Sequence, residues 1–242
     1  MKISKKAKAL TLLLMCGTTF FIYKNTNYNN ITYTVIGDGL SYGIDSYGGT
    51  TYSYGDYVKD YLKEKNKLKD YYNQYTSKDM TIEMLLNTLL MDEKKLHKNT
   101  KKNISVILRE TDYLTISIGL NDLLYQLTTT NNLTEEKVNS IISEIEIKFN
   151  TLISEIRKVY NREIYIIGYY DLNINNQLYK MAINKLNNIY KKNKNITYIS
   201  TYIISDNKDI FLQNNMNYYP NYKGYRLISN KIIDKISKKL EK

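Results

Sequence analysis

The sequence predicts an α/β protein, a three-layer α/β/α sandwich with a five-stranded parallel sheet at its centre. Short β-rich apolar runs alternate five times with helical periods, and strands joined through helices pair in parallel with helices on both faces. The length of 242 residues and the 43% hydrophobic content are enough for one sizeable core. No internal repeat or linker divides the chain, so we expect a single domain over residues 25–242.

The strands and helices follow one another in a regular order. The longest helix, at 135–160, is the best defined, because apolar residues from Val138 to Val159 recur on one face at helical spacing and Thr134 is a suitable N-cap. The last helix repeats this pattern from Leu227 to Leu240. The predicted strands are 32–36, 70–75, 113–118, 163–169 and 196–203, and the predicted helices are 57–65, 81–93, 135–160, 176–192 and 222–240.

The composition excludes several classes of site. One Cys and one His rule out a disulfide scaffold and a multi-histidine zinc site, and we predict no cofactor. His97 stands in a charged stretch and is expected to be a solvated surface residue. The net charge of +11 invites nucleic acid as a partner, but only four basic residues are Arg, the residue favoured for base and phosphate contacts. A lysine-rich module for anionic polymers is the alternative that the charge leaves open.

The first 24 residues have the pattern of a targeting segment. Four lysines and no acidic residue stand in residues 2–8, and an apolar run follows at 9–23. We predict an uncleaved signal anchor that holds the domain outside the cell membrane. The alternatives are a cleaved signal peptide, which would make the protein secreted, and lipid modification at Cys16.

Three turns are candidate sites for ligand binding or catalysis, because ligands of open parallel sheets bind at the carboxyl ends of the strands. The first turn follows the first strand and reads GDGLSYG at 37–43. The second follows the third strand and reads GLND at 119–122, and the third precedes the last helix and reads YPNYKGY at 219–225. Each turn alone is a weak signal, and the first lacks the lysine of a phosphate-binding P-loop.

Together and in this order, the turns resemble the sequence blocks of the SGNH (GDSL-type) hydrolases over about residues 32–240. The blocks read G-D-S-L-[ST]-x-G, G-x-N-D and D-x-x-H-P-N-x-x-G-Y. The resemblance implies a flavodoxin-like fold and the cleavage of acyl esters, often on lipids, glycans or cell-envelope polymers. The matching residues are Gly37, Asp38, Leu40, Ser41, Gly43, Gly119, Asn121, Asp122, Pro220, Asn221, Gly224 and Tyr225.

The mismatches fall on the catalytic positions. By this resemblance the nucleophilic serine is replaced by Gly39, the catalytic histidine by Tyr219 and the aspartate that orients it by Met216. The stretch 77–81, which corresponds to the second block, contains no glycine. A tyrosine with its ordinary pKa near 10 is a poor base at neutral pH. We therefore predict no catalytic residues, and half an oxyanion hole from the Gly39 N–H and the Asn121 amide.

These observations predict a degenerate hydrolase that binds a cell-envelope glycan or acylated polymer without turning it over. Its candidate binding residues are Asp38, Gly39, Ser41, Asn121 and Tyr219. One alternative is an active hydrolase with Ser41 as nucleophile, and another is a metal or activated water held by Asp38 and Asp122. Tyrosines suit sugar rings because they are apolar with a polar tip. The predicted aromatic rim comprises Tyr42, Tyr47, Tyr52, Tyr54, Tyr169, Tyr170, Tyr218 and Tyr219.

Overall fold

A computed structural model describes residues 30–172, 174–212 and 218–240 of the protein. The predicted signal segment, Cys16 and Met216 lie outside these residues. The strands are β1 (Ile31–Gly37), β2 (Leu68–Thr76), β3 (Lys94–His97), β4 (Thr100–Asn103), β5 (Tyr113–Ser117), β6 (Ile164–Ile167) and β7 (Thr197–Ile199). The helices are α1 (Gly39–Tyr42), α2 (Tyr54–Glu64), α3 (Ile82–Leu90), α4 (Ile104–Glu110), α5 (Leu120–Thr129), α6 (Glu135–Arg157), α7 (Gln177–Lys192), α8 (Ile203–Asp206), α9 (Lys208–Phe211) and α10 (Tyr222–Leu240).

The predicted five-stranded parallel sheet is confirmed, with strand order β2-β1-β5-β6-β7. All seven residues of β1 are buried, because this strand has neighbours on both sides and helices above and below. Helices α2 and α10 pack together, and α3, α5, α6 and α7 pack side by side as a separate group, which gives the three layers. The chain reverses its winding direction between β1 and β5, the place where sheets of this kind bind ligands.

The long helix α6 shows how the sequence pattern becomes packing. Its N-cap is Thr134, whose side chain accepts a hydrogen bond from the Lys137 N–H, and Glu135 and Glu136 lie near the positive end of the helix dipole. The apolar face predicted for this helix is buried against its neighbours. The helix ends at Arg157, three residues before the predicted end.

The structure differs from the sequence prediction in several places. Helices α4 and α5 were not among the predicted helices. The fifth predicted strand, 196–203, is a strand only over Thr197–Ile199, and the chain enters helix α8 at Ile203. The stretch around His97 forms the antiparallel hairpin β3–β4, which the sequence analysis did not predict. The expectation of a solvated His97 was wrong: its side chain is 14% exposed, its Nε2 lies 2.9 Å from Oδ1 of Asp70, and its ring lies 4.3 Å from that of Tyr72.

Candidate functional site

The candidate site lies at the carboxyl ends of β1 and β5. Gly37 ends β1 with a φ of +127°, which favours glycine, and a Cβ at this position would lie 1.9 Å from the Ser117 carbonyl oxygen. The Asp38 N–H donates to that same carbonyl at 2.8 Å. The two strand ends are therefore locked together by backbone contacts that leave no room for another side chain.

Asp38 is the polar centre of the site and is 1% exposed. Its Oδ1 accepts hydrogen bonds from the Ser117 hydroxyl at 2.6 Å and the Leu40 N–H at 3.2 Å, and its Oδ2 accepts one from the Tyr169 hydroxyl. Burial raises the pKa of the Asp38 carboxyl, and these hydrogen bonds partly offset that rise. Asp38 thus caps helix α1 and joins three elements beneath the site.

Ser41 is part of the same buried network and is 2% exposed. Its Oγ donates to the Ile36 carbonyl at 3.0 Å and lies 2.6 Å from the Tyr54 hydroxyl and 2.7 Å from that of Ser117. Burial raises the pKa of Tyr54, so the phenol is no base for Ser41 at neutral pH. This geometry argues against Ser41 as a nucleophile.

Tyr219 occupies the space that a serine side chain at position 39 would need. A Cβ built on Gly39 would lie 2.1 Å from the Tyr219 hydroxyl oxygen and 2.6 Å from its Cζ. Burial first, and then the negative charge of Asp38, raise the pKa of Tyr219, so its phenol stays protonated. Gly39 and Tyr219 are thus complementary in shape, because the Tyr219 ring fills the space that a side chain at position 39 would need.

Asn121 differs from the open oxyanion donor that the sequence suggested. Its Nδ2 donates to the carbonyls of Lys78 and Met80, both at 2.9 Å. These two bonds use both hydrogens of the amide and hold the loop between β2 and α3 in place. The Gly39 N–H, at the start of α1, is the other predicted donor.

The carboxylates Asp38 and Asp122 each accept hydrogen bonds from groups of the protein itself. Asp122 accepts hydrogen bonds from the Ile82 N–H at 3.0 and 3.2 Å and thereby holds the first residue of α3. Burial raises the pKa of the Asp122 carboxyl. Within residues 30–172, 174–212 and 218–240, no group of three or more His, Cys, Asp or Glu side chains could hold a metal ion.

The predicted aromatic rim is smaller than the sequence indicated. Tyr54, Tyr169 and Tyr170 are buried and serve the core, so their assignment to the rim was wrong. Tyr42 and Tyr47 are 40% and 71% exposed. Tyr52 is 42% exposed but packs against Tyr57 and Lys59 of α2.

The last motif turn is fixed by hydrogen bonds from other parts of the chain and by a cap within the turn. The rings of Tyr218 and Tyr219 lie 4.8 Å apart, the Ser46 hydroxyl donates to the Tyr219 carbonyl, and that of Tyr170 donates to the Tyr218 carbonyl. The Asn221 side chain accepts a hydrogen bond from the Gly224 N–H at 3.1 Å and caps the start of α10.

The sequence prediction missed two contributions to the site. These are Ser117 and the hydrogen bond from Tyr169 to Asp38, for which no local sequence pattern gives a signal.

The geometry defines a protein with the fold and motif turns of an ester hydrolase, and comparison with known proteins agrees. The family model of the GDSL-like lipases and acylhydrolases matches residues 33–232. The chain therefore belongs to the GDSL-like lipase/acylhydrolase family. No curated protein sequence is significantly similar to it.

Solved structures show the same fold. A lipase from a goat rumen metagenome superposes with a TM-score of 0.67 and 18% identity, covering 84% of this chain and 95% of its own. A catalytic mutant of an acetylxylan esterase from Geobacillus stearothermophilus gives 0.62 and 16% identity, with 86% and 95% covered. A lipase/acylhydrolase from Enterococcus faecalis gives 0.57 and 18% identity, with 86% and 96% covered.

Proposed function

We propose that this protein is a non-catalytic member of the family. It binds a cell-envelope ligand at the candidate site, which corresponds to the active site of the family's hydrolases. The observation that carries the proposal is the fit between Gly39 and Tyr219. A triad hydrolase needs a hydroxyl beside a base, whereas here the nucleophile position has no side chain and a protonated phenol fills the space. The Asn121 amide, occupied by two carbonyls, supports the same conclusion.

The class of ligand that fits best is an acylated glycan. The similarity to an acetylxylan esterase supports this class, since that protein's name joins an acyl group and a sugar polymer. The exposed ring of Tyr42 lies on the segment from Gly39 to Ser46, and exposed Tyr47 directly follows Ser46. The Ser46 hydroxyl donates to the Tyr219 carbonyl. Exposed aromatic rings at the edge of a site suit the apolar faces of sugars.

The location that we propose is the outer side of the cell membrane, with residues 1–24 as the anchor. The lysines at residues 2–8 followed by the apolar run at 9–23 support this orientation. Within the described residues, no helix combines the length and the apolar character needed to cross a membrane. The anchor is therefore proposed only for the segment before residue 30.

Hydrolysis of a short activated ester by the full chain tests the absence of catalysis. We expect 4-nitrophenyl acetate to be hydrolysed at the buffer rate by the wild type and equally by Ser41→Ala. Gly39→Ser alone should stay inactive, because the new side chain meets Tyr219. The triple variant Gly39→Ser, Met216→Asp, Tyr219→His should gain multiple turnovers, and its matched control with Gly39→Ala should not. Multiple turnovers by the wild type would overturn the proposal.

Binding tests the ligand class. The wild type should bind acetylated xylo-oligosaccharide more tightly than the deacetylated form. Tyr47→Ala should weaken the binding of the acetylated form. Tyr125→Ala is the matched control, because Tyr125 is equally exposed, at 70%, but belongs to α5. Equal loss in both variants, or no preference for the acetylated form, would contradict an acylated-glycan site.

A further inference from the structure

The amino end of the sheet, where the parallel strands begin, has a large excess of basic over acidic residues. Helices α2, α4, α6 and α7 end there, because each leads into a following strand. Helix α10 also ends there, since Lys239 pairs with Glu163 just before β6. We call this surface the basic end. It has fourteen Lys and Arg against six Asp and Glu, in residues 63–70, 98, 109–112, 155–163, 191–194 and 238–239.

The rest of the described chain has the opposite balance, with fifteen basic and seventeen acidic residues. Helix dipoles favour cations at helix C-termini, which accounts for residues such as Lys63 and Lys192. They do not account for Lys67, Lys69 and Lys194, which precede or begin strands. The separation of charge between the two ends is therefore larger than helix stability requires.

The basic end also holds its charges in place. Arg157, Arg162 and Lys194 line a cavity of about 440 Å³ that opens to solvent. The Arg157 guanidinium donates to the carbonyls of Tyr160, Arg162 and Asn195, which fix its position without cancelling its charge. At the hairpin turn, Lys98 lies 3.0 Å from Asp70, and the neighbouring apolar Leu96 is 62% exposed.

The chain enters the domain at this same end, because β1 begins at Ile31. Only seven residues, 24–30, separate β1 from the apolar run at 9–23. A chain of seven residues spans at most about 25 Å when fully extended. An anchor in that run would therefore keep the basic end, and not the candidate site, close to the membrane surface.

We propose that the basic end docks onto a membrane surface with anionic headgroups and so turns the candidate site away from the bilayer. Clusters of lysine and arginine beside an anchor are attracted to anionic lipids within about a Debye length, some 8–10 Å at physiological salt. Lys98 and Leu96 at the hairpin turn would meet the headgroup region together. This inference concerns orientation and does not depend on whether the site is catalytic.

Fluorescence quenching by spin-labelled headgroups tests the orientation in the full chain. Two labelled proteins are made, and both carry Cys16→Ser. The first has a fluorophore on Asn99→Cys at the hairpin turn, and the second has it on Tyr47→Cys near the candidate site. Vesicles of phosphatidylcholine are compared with and without phosphatidylglycerol. With the anionic lipid we expect quenching at position 99 to exceed that at 47 by about threefold or more, and high salt should abolish the difference.

Charge reversal identifies the surface responsible. Lys192→Glu with Lys194→Glu should remove the effect of anionic lipid on position 99. Lys78→Glu with Lys223→Glu, two exposed lysines at the opposite end, is the matched control and should leave that effect unchanged. Equal quenching at 99 and 47, or quenching at 99 that ignores lipid charge, would overturn the proposal. Binding of soluble polyphosphate by the basic end without any response to anionic vesicles would also overturn it, in favour of a polymer.

Discussion

The two ends of the sheet contain aspartates in opposite environments. Asp38, after β1, is buried among hydroxyl donors, and burial raises its pKa. Asp70, in β2 near its start, faces His97 and Lys98; burial alone would raise its pKa, but these partners lower it to about 2. The carboxyl end of the sheet thus satisfies its polar groups internally, whereas the amino end presents charge to solvent. We therefore expect shape to govern binding at the first end and charge to govern contacts at the second.

The largest expected effect tests how rigidly the carboxyl end is built. Gly37→Ala places a Cβ against the backbone of Ser117 and requires a positive φ, so we expect a loss of more than about 3 kcal/mol in the free energy of unfolding. Gly39→Ala is the matched control two residues away, because its Cβ meets only the Tyr219 side chain. It should cost about 1–2 kcal/mol, and less when combined with Tyr219→Ala.

Urea unfolding monitored by circular dichroism measures both glycine variants. Equal losses at the two positions would show that Tyr219 is as immobile as the backbone.

The same contrast explains which features the sequence could predict. The motif turns at Asp38 and Asn221 are local, since each residue caps the helix that follows it. Short sequence motifs could therefore predict them. Ser117 and Tyr169 reach Asp38 across 79 and 131 residues, a proximity that only the folded sheet creates. The sequence could not separate rim tyrosines from core tyrosines. A tyrosine ring also packs in protein cores, where its hydroxyl can form hydrogen bonds as it does at a surface.

The hairpin β3–β4 was missed for a different reason. Residues 94–103 contain five lysines and one large apolar side chain, Leu96, so the strands lack the alternation that marks a half-buried strand. Lys95 and Lys102 face the sheet, with their ammonium groups over the rings of Tyr75 and Tyr72. Their aliphatic stems replace the apolar side chains that the pattern requires.

The second prediction concerns Asp38. Asp38→Ala leaves the Ser117 and Tyr169 hydroxyls without their acceptor, so we expect a loss of about 2–3 kcal/mol. The raised pKa also sets the direction of the pH dependence, because the folded state binds the Asp38 proton more tightly than the unfolded state does. The contribution of Asp38 to the free energy of unfolding should therefore fall as pH rises from its ordinary pKa of 3.8 to its folded pKa.

Asp38→Asn isolates this pH dependence, because the side chain keeps its size but does not titrate. The free energy of unfolding of the wild type minus that of Asp38→Asn should decrease between pH 3 and pH 7. A difference that stays constant, or that grows with pH, would mean that the Ser117 and Tyr169 hydrogen bonds outweigh burial.

The smallest expected effect is at Asp70 and should have the opposite slope. Its folded pKa of about 2 lies below the ordinary 3.8, so its stabilising contribution is complete above pH 3.8 and is lost as pH falls to about 2. Solvent screens this partly exposed cluster, so Asp70→Asn should cost about 1 kcal/mol at pH 6 and almost nothing at pH 2. Asp209→Asn, on the exposed side of α9, is the control and should cost less at pH 6. A loss at Asp70 that persists at pH 2 would assign its role to neutral hydrogen bonds, and the two ends of the sheet would then differ in exposure alone.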